Sequence, residues 1–235
     1  MNKLKNELIF IKNNWKRFIL LFYMPLYMSC FTWLETHNER GFFLVQSKID
    51  SYIPFLEIFI IPYLLWFFYM FYGIFYMIFR KNGMDFYLMA TFLSIGMTLF
   101  LIISYVYPNK IDIRPTYFTR DNIFIDLVKA LYKSDTPTNV LPSIHVFNSV
   151  VINEALCRTE RYNNKTHLKF LSKLFTLLVV LSTMFLKQHT VIDVAFALVL
   201  IIALYPFIYG KKNTYLKKFW EFYDKKHLCN MDFKA

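Results

Sequence analysis

The sequence predicts an all-α integral membrane protein, a bundle of six transmembrane helices. Three observations carry that expectation. The 235 residues are 57% hydrophobic and 20% aromatic with only 18% charged, a balance foreign to a soluble domain of this size. The apolar residues gather into runs of roughly 17–25, the length that crosses a bilayer as a helix. Lysine and arginine concentrate in alternate connections between those runs.

The spans are expected at residues 18–34, 54–79, 85–107, 142–158, 168–186 and 189–209. The first run is followed by Glu35, Thr36 and His37 rather than a small-residue cleavage site, so it reads as a span and not a signal peptide. The fourth is short and carries Asn148, Ser149, Asn153 and Glu154. Such a segment belongs among neighbouring helices rather than against lipid, with Glu154 paired to another helix. No repeat or low-complexity linker divides the chain, so residues 1–235 are expected to form one domain.

Five basic residues precede the first span, two follow the second, five follow the fourth and seven lie beyond residue 210. Those four groups place both termini in the cytoplasm. The net charge of +11 is then topological, and no nucleic-acid partner is expected. The flanks LIFIKNNWKRF and TYLKKFWEFYDKK mix aromatics with cations, as interfacial anchors do. Cys30, Cys157 and Cys229 are dispersed and lack zinc spacing, so neither a disulfide framework nor a cysteine metal site is indicated. A composition rich in Lys, Asn, Ile, Phe and Tyr suits an AT-rich bacterial genome and hence a multi-pass protein of the cell membrane.

The long outer connection, residues 108–141, contains DNIFIDLVKALYK. Helical spacing of its apolar residues, with Asp121 as N-cap, predicts a short helix at the membrane surface. Asp135 and Asn139 read as turn formers just before the fourth span.

With this topology the N-terminal ends of the fourth and sixth spans meet at the outer face. One begins PSIH, Pro142 to His145, and the other QHTVID, Gln188 to Asp193. His189 and Asp193 stand four residues apart on one helix face. Asp193 is placed to hold one ring nitrogen of His189 and leave the other free, the arrangement of an activated nucleophile or general base. Helix N-termini offer unpaired N–H groups and a positive dipole end to a phosphate. Ser143 adds a hydroxyl, Arg114 a bidentate cation and Lys187 a further charge. His37, His167 and His227 have no partners nearby in sequence and are assigned no function.

PSIHV, KQHTVIDV and the preceding IDIRP together resemble the type-2 phosphatidic acid phosphatase superfamily. The form YKSDTPTNVLPSIHV is similar to that of bacterial members related to inositol phosphorylceramide synthases. The resemblance covers residues 105–200 in motif and all six spans in layout. It implies that His189 attacks phosphorus to form a phosphohistidine, that Asp193 orients it, and that His145 protonates the leaving alkoxide and then activates water. It further implies phosphate contacts from Arg114 and Ser143, and neither metal nor cofactor. The chain departs from the family pattern at Tyr107, where a lysine is usual, and at Ile144, where a glycine is. It also departs at Thr183, where an arginine is usual, and Lys187 is the expected replacement.

The function so implied is hydrolysis of a phosphomonoester or pyrophosphate lipid at the extracytoplasmic surface. Phosphatidate-like lipids, phosphatidylglycerol phosphate and polyprenyl diphosphate are the candidate substrates, with membrane lipids as the other partners. The same chemistry ending on an alcohol, as in a lipid phosphotransferase, is the alternative. A non-enzymatic transporter or scaffold is the third reading. Oligomeric state is not legible in the sequence.

Overall fold

The structure, a computed structural model, describes residues 15–18, 20–37, 41–80, 83–210 and 213–228. The chain is mostly helical, and among the described residues five helices are long and apolar enough to cross a membrane. Most of the amino-terminal aromatic and basic flank lies outside the described residues.

The first such helix covers Trp15–Thr36, and its regular part is α1, Tyr23–Thr36. A two-residue strand β1, Phe43–Leu44, and a one-turn helix α2, Ile49–Tyr52, follow. The long helices α3, Ile60–Ile78, and α4, Gly83–Val106, come next. Strand β2, Asn109–Lys110, pairs in parallel with β1, and α5 covers Ile123–Ser134. The remainder is helical: α6, Ile144–Arg158; α7, Glu160–Asn163; α8, Thr166–Phe185; α9, Val191–Tyr209; and α10, Thr214–Leu228.

The expected helix in the long connection is present as α5, but its N-cap is one residue further on. The Asn122 side-chain oxygen accepts from the N–H groups of Phe124 and Ile125, both at 3.0 Å, the geometry of a capping residue. Asp121 instead faces Lys129 at 4.0 Å, almost fully exposed.

The fourth expected span is where the structure departs most from the sequence reading. Helix α6 has 15 residues, about 22 Å at a rise of ~1.5 Å each, short of a hydrocarbon core of ~30 Å. It lies at the centre of the bundle, packed against α3, α4, α8 and α9. Val146, Phe147, Asn148, Ser149, Val151 and Ile152 are all buried. Its polar residues therefore meet protein rather than lipid. Near its far end Glu154 accepts from Tyr205 Oη on α9 at 3.0 Å and from Arg158 Nε at 2.7 Å.

Two glycines let the neighbours of α6 approach this closely. A Cβ at Gly96 on α4 would stand 2.0 Å from the Phe147 ring, and one at Gly73 on α3 would stand 2.5 Å from Ile152 Cγ2. Small residues at helix contacts serve the same end throughout membrane bundles.

The connections at one end of the bundle are tied together by Asn109. Its side-chain oxygen accepts from Val140 N at 2.8 Å and Leu141 N at 2.9 Å, while its carbonyl accepts from Asn139 N at 2.6 Å. The strand pair, α5 and the start of α6 are thereby one unit.

Replacing Gly96 with alanine is expected to lower stability by about 1–3 kcal/mol, the usual cost of overpacking. Thermal unfolding in detergent would show it, and the Gly96→Ala, Phe147→Leu pair should recover part of the loss.

Candidate active site

The N-termini of α6 and α9 are joined directly. Ser143 N–H donates to the Asp193 carbonyl at 3.2 Å. Ser143 is the N-cap of α6, its Oγ accepting from Val146 N at 3.4 Å. Thr190 is the N-cap of α9: its hydroxyl accepts from Asp193 N, and Asp193 Oδ2 accepts from Thr190 N at 2.8 Å. This reciprocal pair is a capping box.

That docking brings His145 and His189 together. His145 Nδ1 and His189 Nε2 are 3.3 Å apart. On the far side of His189, Nδ1 lies 3.4 Å from Asp193 Oδ2. This contact lacks hydrogen-bond alignment. Asp193 is fully buried, and a buried carboxylate needs a charged or donating partner. The imidazole of His189 is the basic side chain placed beside it.

The row continues past His145. Its Nε2 is 3.0 Å from Tyr63 Oη, and Tyr63 donates its hydroxyl proton to Asp135 Oδ2 at 3.1 Å. Trp66 and Tyr63 pack their rings against the imidazole at centroid distances of 4.5 and 4.9 Å. Five side chains thus form a line: Asp135, Tyr63, His145, His189, Asp193.

Asp135 sets the polarity of one end of that line. Tyr63 gives its only proton to Asp135, so its oxygen accepts from His145 Nε2–H. At the other end the ring edge of His189 presents Nδ1 to Asp193. Between the rings, His145 Nδ1 and His189 Nε2 face each other at 3.3 Å. A hydrogen bond across that gap takes a single N–H, from either ring.

The three groups expected to bind phosphate are placed differently. Arg114 lies behind the pair. Its Nη1 donates to the Asp135 carbonyl at 2.8 Å and its Nη2 to Gln188 Oε1, with the guanidinium over the Tyr132 ring. Burial draws its pKa below the ordinary guanidinium value, with Asp135 opposing, and it remains cationic. Ser143 is fully buried and its Oγ caps α6. Lys187 is not brought to the histidines. Its ammonium donates to the carbonyls of Asp50, at 2.7 Å, and Ile53. Burial lowers its pKa, again with a carboxylate, Asp50, opposing.

Lys187 also has φ of +53°, and Asn139 of +50°. Non-glycine residues in this region are strained, and such strain gathers at functional sites. At Lys187 the turn ends α8 and sends Gln188 N and His189 N back to the Thr183 carbonyl, at 2.9 and 3.0 Å. Asp50 completes the arrangement from α2: its Oδ1 accepts from Val191 N at 2.8 Å, and its Oδ2 from Ser47 N and Oγ.

The histidines close one end of a cavity of about 610 Å³. Asn139, Asn148 and Gln188 line it beside them. Asn139 Oδ1 and Nδ2, Asn148 Oδ1 and Gln188 Nε2 are buried without hydrogen-bond partners. Buried polar groups are almost always paired, so this concentration of unpaired amide atoms marks a site for a polar ligand.

Tyr63 was invisible as a site residue because its partner is remote in the chain. Tyr63 reaches His145 across 82 positions. Gln188 had a weak signal, a polar residue at the head of an apolar helix. Asp135 had a similar one, a carboxylate ten residues before a motif histidine.

No family model, curated protein or solved structure matches the chain.

Asp50→Ala should destabilise the site end by about 1–3 kcal/mol, since it removes the acceptor of the half-buried Val191 N–H. Asp50→Asn, which keeps an acceptor there, should cost less. Thermal unfolding of both variants beside the parent chain would check the order.

Proposed function

We propose that the protein is a six-span membrane phosphatase of lipid phosphates, with both termini cytoplasmic and α5 lying at the extracytoplasmic membrane surface. In this reading α6 is the fourth span, shortened because it is enclosed by protein. The observation that carries the proposal is the contact between His145 and His189 at the head of an apolar cavity. It supports the roles that the motif resemblance implies for the two residues.

In the reaction, lipid phosphate parts the two rings and His145 carries a proton on Nδ1. His189 Nε2 is then a free nucleophile and His145 an armed acid. His189 Nε2 forms a bond to phosphorus as the P–O bond to the lipid breaks, and His145 Nδ1–H protonates the leaving oxygen. Water then attacks the phosphohistidine, giving a proton to His145 while the P–N bond breaks, which restores the pair and releases phosphate. Asp193 holds His189 and offsets its charge. Tyr63 and Asp135 hold the neutral and protonated forms of His145 in one orientation.

The phosphate oxygens are held by amide N–H groups of Gln188 and Asn139, with the Arg114 cation one residue behind. Arg114 thus acts through Gln188 and through the field it adds, Ser143 by aligning α6, and Lys187 by holding the turn before His189. An alcohol in place of water makes the same site a phosphotransferase, and product analysis with added alcohol separates the two outcomes.

Purified protein with chelator present should release phosphate from phosphatidate, phosphatidylglycerol phosphate or polyprenyl diphosphate, and His189→Ala should abolish the release. A folded parent chain inactive on all three would refute the hydrolase. His145→Ala should lower turnover of alkyl phosphates by about 10²–10⁴-fold, the usual worth of a general acid. It should lower that of a phosphomonoester of an acidic phenol far less, because a good leaving group needs no proton.

A further inference from the structure

The site cavity runs on from the histidines as an apolar groove between α1 and α3, floored by α4. Tyr27, Trp66, Met70, Met97 and Phe100 form its buried walls, whereas Met24, Met28, Phe67, Phe71 and Phe75 line it and are themselves exposed. The groove is therefore open along one side. The opening follows from the packing: α1 rests mainly on α4, and α3 packs on α4, α6 and α8. Along α3 the lining extends from Tyr63 to Phe75, twelve residues or ~18 Å at the helical rise. That depth matches half of a hydrocarbon core ~30 Å thick. Four of the lining side chains are methionines, which adapt to varied apolar shapes.

Charge and polarity divide this cavity sharply. Its head holds the two histidines, the unpaired amides with the Arg114 cation behind Gln188, and the polar side chains of Ser134, Asp135, Thr136 and Thr138, whereas the lining between α1 and α3 is aromatic and aliphatic. Water would satisfy the head and not the groove, and an apolar compound the groove and not the head. An amphiphile with an anionic head and one hydrocarbon chain satisfies both.

We propose that the groove between α1 and α3 is a chain-binding site. It takes one hydrocarbon chain of a lipid whose phosphate lies at His145 and His189, and the chain slides in sideways from the bilayer. This rests on the phosphatase reading for the identity of the head, while the position of the chain can be tested without turnover. A chain longer than the groove is deep projects into the bilayer, so binding should gain with chain length up to the leaflet depth and then level off.

The test uses the full chain in lipid nanodiscs with a phosphonate analogue of phosphatidate bearing a diazirine at the end of one chain. Irradiation should place adducts on residues 24–31 and 67–75, with excess unlabelled long-chain phosphatidate suppressing them. Adducts spread over the outward faces of α8 and α9 would overturn the proposal. Independently, Met70→Trp or Met97→Trp fills the groove. The ratio of long-chain to short-chain phosphatidate turnover should then fall about tenfold or more, the worth of two or so buried methylenes. An unchanged ratio in both variants would also overturn it. Adducts in the groove from a protein that hydrolyses no phosphate ester would keep the chain site and reject the phosphatase.

Discussion

The hydrogen bond from Ser143 N–H to the Asp193 carbonyl joins two helix starts that are 50 residues apart in the chain. Everything else at this end of the bundle depends on that junction. It fixes the relative height of α6 and α9, and so determines that His145 meets His189 rather than passing above or below it. Each partner is itself held by a cap, Ser143 by its bond to Val146 N and Asp193 by its exchange with Thr190. The residues that align the helices are thus the residues of the motifs. Structural and chemical roles coincide because an N-terminus left unpaired in a buried place is costly, and the same groups that pair it can orient a neighbouring side chain.

Cations near the site are used for architecture. Arg114 and Lys187 both give their hydrogen bonds to carbonyls and an amide oxygen of the connecting segments. These segments carry many carbonyls with no helical partner, and a buried cation with several donors satisfies them at once. Neutral amides line the cavity instead. A neutral donor can be buried at far smaller cost than a charge, so the cavity remains available to an anion without itself carrying a large desolvation penalty.

The position of α6 follows from its weak amphipathicity. It has no continuous lipid-compatible face, so neighbours surround it, and Gly73 and Gly96 make room for Ile152 and Phe147. A short central helix then sets its N-terminus at the depth where the connecting segments, tied by Asn109, gather around it.

By itself, the sequence determined the long apolar helices and the pairing of motifs. Runs of apolar residues report a length and a solvent, both local properties of the chain. Spacing of four placed His189 and Asp193 on one face for the same local reason. It also placed a helix in the long connection, missing its cap by one residue because Asp121 and Asn122 are chemically similar caps and only geometry chooses. Tertiary structure alone decided that Arg114 and Lys187 bond the connecting segments rather than line the cavity, that Tyr63 and Asp135 extend the histidine pair, and that Asp50 closes the start of α9. Those are contacts across tens of residues, made by side chains whose directions depend on how helices pack. Hydropathy and spacing carry no information about that packing, and the chemistry of the site is settled there.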